Sequence, residues 1–146
     1  MKTDELLREG YRLFHSENNP ESNLLVLIFF WNEPHEEDNA RTAELIEDDF
    51  RKILRMSPEK SYTAIVDLIQ FGDSATEVLT PLTKEIYARI LNQPQLKRVA
   101  VLGSSSHIES LALGVLHVLS LVRVGDDKIK WFTDVQKAKR WLSEVS

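Results

Sequence analysis

The amino-acid sequence predicts a single α/β domain in which a mostly parallel five-stranded sheet is packed with about four helices, in the order ββαβαβαβα. Three observations carry this reading. Short apolar runs rich in Val, Ile and Leu alternate with longer stretches of helical period, as strands and crossover helices do. The Asn and Pro residues of "ENNPE", between the first two apolar runs, favour a turn, so those two strands form an antiparallel hairpin. The chain has 146 residues with no internal repeat, no low-complexity tract and no Pro/Gly/Ser linker, and this length buries ~70% of the surface exposed when unfolded.

Residues 1–9 are an N-terminal segment. "YRLFHS" and "NLLVLIFFW" are the two strands of the hairpin; Leu24 to Trp31 is apolar on both faces, which argues for a central strand. Pro34 and the acids Glu36, Glu37 and Asp38 suit the first turn of a helix. Ala43, Ile46, Phe50, Ile53 and Leu54 form its inner face, with Glu44, Glu47, Asp48 and Arg51 turned to water and Pro58 stopping it. "SYTAIVDLIQF" is the third strand, its β-branched residues fitting a pleated buried position. "SATEVLTPLTKEIYARILNQP" is the second helix, with Leu79, Leu82, Ile86 and Ile90 on one stripe and Pro81 near its first turns. "LKRVAVLG" is the fourth strand, "SSSHIESLALGVLHVLSLV" the third helix and "KIKWFT" the fifth strand. "DVQKAKRWLSEV" closes the chain as a helix with Val135, Ala138, Trp141, Leu142 and Val145 inward.

Composition narrows the function. The chain is 42% hydrophobic and 28% charged, an ordinary soluble globular balance. Its formal net charge is −5, and its 18 Lys and Arg residues are scattered along the sequence, which argues against nucleic acid as a partner. Cysteine is absent, which excludes disulfides, thiolate zinc sites and cysteine nucleophiles and fits a reducing compartment. "MKTDELLREG" carries charges where a signal peptide needs an apolar core, and "NLLVLIFFW" is far short of the ~20 residues of a membrane span. The expectation is a cytoplasmic protein with no stable membrane insertion.

Three local features, "AIVDL" followed by "GDSAT" at a helix start, "RVAVLG", and "WFTDVQKAKRWL", resemble a known group. Over residues 10–145 the order of elements is similar to the STAS fold of anti-sigma-factor antagonists and sulfate-transporter tails. It also resembles the related SpoIIAA-like, CRAL-TRIO-like bacterial proteins. In STAS proteins a Ser or Thr in the loop after the Asp-bearing strand can be phosphorylated by a partner kinase. The resemblance therefore implies Ser74 as that position, within Asp73, Ser74, Ala75 and Thr76. The Asp67 to Asp73 spacing is shorter than in that family, Ala75 replaces a frequent second hydroxyl, and Glu77 stands where glycine is usual. These departures fit better with the SpoIIAA-like proteins, whose functions are mostly undefined.

The same residues have plain structural readings. Asp73 and Ser74 can cap a helix, and Ser74 with Glu77 makes an S-x-x-E capping box. Asp67 ends a buried strand, where its carboxylate must accept N–H groups from the next loop or reach solvent. In open α/β sheets ligands bind at the carboxyl ends of strands. Asp67, Asp73, Ser74, Ser104, Ser105, Ser106 and His107 are thus expected along one edge, where hydroxyls and N–H groups can take an anion. His35 with its acidic neighbours reads as a solvated helix start, and His15 and His117 have no partner at ligand spacing, so no metal site is assigned. No cofactor motif and no nucleophile, base and orienting acid are evident, so an enzyme is unsupported.

The third helix is apolar nearly all round. Either other helices flank it, or its Leu113, Leu116, His117 and Leu121 are the expected face of a homodimer, or of a lipid or small apolar ligand, with self-association favoured over simple burial. The sequence therefore points first to a non-enzymatic STAS-like regulatory or protein-interaction module, second to a CRAL-TRIO-like protein for a lipid or other apolar ligand, and third to an enzyme.

Overall fold

The structure, a computed structural model, describes residues 3–15, 23–30, 36–70, 81–104 and 128–144. Along the chain these form α1 (Thr3–Arg8), β1 (Tyr11–His15), β2 (Leu24–Phe29), α2 (Glu36–Met56), β3 (Tyr62–Asp67), α3 (Pro81–Leu91), β4 (Leu96–Leu102), β5 (Ile129–Phe132) and α4 (Val135–Ser143). The five strands make one sheet in the order β1-β2-β3-β4-β5. β1 is antiparallel to β2, and every later pair is parallel. The mixed α/β sheet and the antiparallel first pair agree with the sequence reading; the predicted helix across 104–122 lies almost wholly outside the described residues.

Alternation along the strands sends side chains to two cores. On one face Leu25, Leu27, Phe29, Tyr62, Ala64, Val99 and Val101 pack with Leu45, Ile46, Phe50 and Leu54 of α2 and Ile90 of α3. On the other face Ile65, Ala100 and Leu102 meet Ala138, Trp141 and Leu142 of α4. The apolar run of most of β4 follows from this, since interior parallel strands are covered on both sides. Burying a side chain such as Leu142 or Ile46 stabilises the fold by ~1.5–3 kcal/mol.

Caps and turns set the ends. The Asp134 carboxylate accepts the Gln136 N–H at 2.8 Å and starts α4. Pro81 occupies the first position of α3, where a missing N–H costs nothing. Gln95 donates its side-chain N–H groups to the carbonyls of Leu54, Ser57 and Lys60 at 3.0–3.1 Å, which satisfies the carboxyl end of α2 and the loop after it. Asn23 enters β2 with φ 52°, a left-handed conformation that Asn tolerates well.

Three expectations are corrected. Residues 3–8 are helical, and Leu7 joins the core while Asp4 binds Arg41 at 2.9 Å; six residues are too few to show a period. Glu47 does not face water but is 7% exposed. Its two oxygens take Arg89 Nη2 and Nε at 3.0 and 2.9 Å, with Arg51 Nη2 at 3.2 Å, so a paired carboxylate fixes α3 to α2. Val135, expected inward, is 39% exposed, because the buried stripe of α4 begins only at Ala138. Val145, expected on the same stripe, lies outside the described residues.

Tyr11 donates its hydroxyl proton to Asp49 Oδ2 at 2.6 Å, with Arg8 3.6 Å from the other carboxylate oxygen. Burial first, and then this bond, push the Tyr11 phenol well above its ordinary 10.0. Raising the folded value favours the protonated form, so this contribution is complete below pH 10 and is lost as pH rises beyond it. Urea titrations should show stability falling above about pH 10, and less steeply in Tyr11→Phe. Glu47→Ala should lower stability by ~1–3 kcal/mol in urea melts, since it removes the charge-assisted bonds that join Arg89 and Arg51 to a buried carboxylate. A change within ~0.5 kcal/mol, as at an ordinary surface site, would show that the clamp is not needed.

Candidate functional site at the carboxyl edge of the sheet

β3 and β4 run side by side with Asp67 opposite Leu102. The ladder continues past the strands: Leu68 N–H donates to Leu102 O at 2.9 Å, and Gly103 N–H to Phe132 O at 3.0 Å. These bonds hold Asp67 and Ser104 at neighbouring strand ends, on the carboxyl edge where this class of sheet binds ligands. Asp67 is half-buried, and its Oδ1 accepts the Ile69 N–H at 3.0 Å. This bond turns the chain out of β3 at Asp67, short of residues 68–70, which the sequence pattern includes in the strand.

Of the residues singled out in the sequence, the structure describes Asp67 and Ser104 and places them at adjacent strand ends. Asp73, Ser74, Thr76, Ser105, Ser106, His107, Leu113, Leu116, His117 and Leu121 lie outside the described residues. Among the described residues no three His, Asp or Glu side chains gather as a metal ion would require. His15 stacks on Tyr62, with ring centroids 5.4 Å apart. No helix among the described residues is long and apolar enough to cross a membrane.

A second surface escapes linear reading. Arg98 of β4 and Lys130 of β5 project on the α4 side of the sheet, and both cations lie over the Trp141 ring, at 4.7 and 5.7 Å from its centroid. Arg98 also donates to the Trp141 carbonyl at 2.8 Å and stands 3.8 Å from Glu144, steadying the carboxyl end of α4. Lys128, just before β5, instead donates its ammonium to the Gln93 carbonyl at 3.4 Å, while its own carbonyl accepts the Val99 N–H at 2.8 Å. Burial, and then the Lys97 charge, lower the Lys128 ammonium below the ordinary lysine range. Lys137, Lys139 and Arg140 are exposed on α4. Cations scattered in sequence are thus gathered by strand pairing. The one linear signal is the repetition of "LKR", "KIK" and "KAKRW" at the ends and faces of these elements.

No family model matches the chain, and no curated protein and no solved structure gives a match.

The Asp67 bond predicts that Asp67→Ala costs ~1 kcal/mol or more by freeing the Ile69 N–H. Asp67→Asn, which keeps an accepting oxygen, should cost less. Equal losses in thermal melts of the two variants would show that the negative charge, not the turn bond, is what matters.

Proposed function

We propose that this chain is a non-enzymatic, STAS-like regulatory or protein-interaction module that works through the loops at the carboxyl edge of its sheet. The observation that carries the reading is the engagement of Asp67: the carboxylate at the end of the central strand is tied to the Ile69 N–H. A strand-end acid used in this way shapes the turn through Leu68 and Ile69, and Asp73, Ser74 and Thr76 follow that turn in the sequence. The mixed sheet, with its antiparallel first pair and parallel remainder, supports the same reading. Ser74 is the proposed modified residue, with Asp73 and Thr76 beside it in the sequence as the proposed partner site. A phosphate there would add close to two negative charges and three acceptor oxygens.

A second reading has its own observation. The sheet face opposite α2 carries Leu24, Val26, Ile28 and Phe30 along β2 and its end, all half-buried, with Arg12 over the Phe30 ring at 5.7 Å. An apolar surface of this kind suits a lipid-like or other small apolar ligand.

Native mass spectrometry of the untagged protein from its own host separates the two. Covalent phosphate that is lost in Ser74→Ala, together with a protein partner that is lost in Asp73→Lys, would support the module. Extra non-covalent mass removed by organic extraction would support the ligand carrier. Unmodified, ligand-free protein whose recovered partners are the same in Asp73→Lys would overturn both.

A further inference from the structure

The net charge of −5 conceals a division. Residues 1–95 hold ten basic and eighteen acidic side chains, whereas residues 96–146 hold eight basic and five acidic. The sheet order converts this sequence asymmetry into a spatial one, because β4, β5 and α4 stand together at one side of the sheet. Arg98 and Lys130 are brought over a single ring, and Lys137 lies one helical turn before Trp141 on the same helix. Like charges drawn together repel one another, and an opposite charge relieves them. Among the described residues Glu144 is the carboxylate facing this cluster, 3.8 Å from Arg98, while Asp134 is already bound to the Gln136 N–H.

We infer that the face formed by Arg98, Lys130, Lys137 and the exposed side of α4 docks an acidic polypeptide segment of a partner protein. This surface is distinct from the carboxyl edge and does not rest on the reading given above. A second copy of the chain is a weaker occupant, because four of the acids that α1 and α2 would bring to this face are already engaged internally. Asp4 and Glu44 bind Arg41, Glu47 binds Arg51 and Arg89, and Asp49 binds Arg8 and Tyr11. An anionic bilayer is disfavoured by alternation along β5, which sends Lys130 and the 38% exposed Trp131 to opposite faces of the sheet. A long polyphosphate backbone would also meet the acidic remainder of the molecule. A short segment bearing several Asp or Glu residues matches the sign of the patch, and approach to it is favoured at low salt.

The test uses the intact chain and fluorescein-labelled deca-glutamate, read by fluorescence anisotropy at about 20 mM and about 200 mM salt. The expected result is binding at low salt that weakens about tenfold at the higher concentration, and about tenfold in Lys130→Glu/Lys137→Glu. Lys52→Glu/Lys60→Glu, which reverses two exposed cations elsewhere, should leave binding unchanged. Circular dichroism establishes folding of each variant, and Lys130→Gln/Lys139→Gln replaces the first pair if that variant unfolds. Absence of low-salt binding would overturn the inference, as would an equal loss in the control pair. Tighter binding of oligothymidylate or of phosphatidylserine vesicles than of deca-glutamate would overturn it too, and would assign the face to that class instead.

Discussion

Everything in this structure depends on the parallel pairing of β2, β3 and β4. A parallel strand cannot be reached through a tight turn, so each pairing demands a crossover, and each interior strand needs an apolar cover on both faces. α2 and α3 supply that cover on one face and α4 on the other over β3 and β4. The polar features serve the same end. The Glu47 clamp fixes the two helices of the first face to each other, and the Gln95 side chain closes α2 just before β4 begins. Arg98 does the equivalent for α4 from within the sheet. Each of these side chains satisfies groups that would otherwise be left unpaired beside the core, where an unmade hydrogen bond is costly.

What could be read in the sequence follows from how local each signal is. The strand β2 is legible because six consecutive apolar residues leave no polar face, and α2 because its inner residues recur with helical period. The Asp134 cap is legible because the acid stands directly before a helical pattern. Glu47 is not, because its burial is made tolerable by Arg89, 42 residues away. α1 is too short to declare a period, and the exposure of Val135 depends on where the sheet ends beneath α4.

The candidate surfaces divide in the same way. That Asp67 and Ser104 stand at one edge is readable, since both follow apolar strands at the point where the chain turns. The cationic face is unreadable in one dimension: Arg98 and Lys130 are 32 positions apart and meet only because β4 and β5 pair and α4 folds back over them. Trp141 takes part in both worlds, with one side of its ring closing the core and the other receiving cations. Arg98 likewise is both a structural donor and a source of charge. A surface built from residues that the fold already requires adds little ordering cost when something binds there.

The order of strands across the sheet is also their order along the chain. Each new strand finds the edge it needs already made by the one before it, and no strand waits for a later one to be inserted beside it. Such an arrangement can grow in one direction as the polypeptide emerges from its N-terminal end, with loop closures limited to one crossover at a time. The final helix, laid across β3 and β4 after β5 is in place, then acts as the latch on a process that began at the opposite side of the molecule.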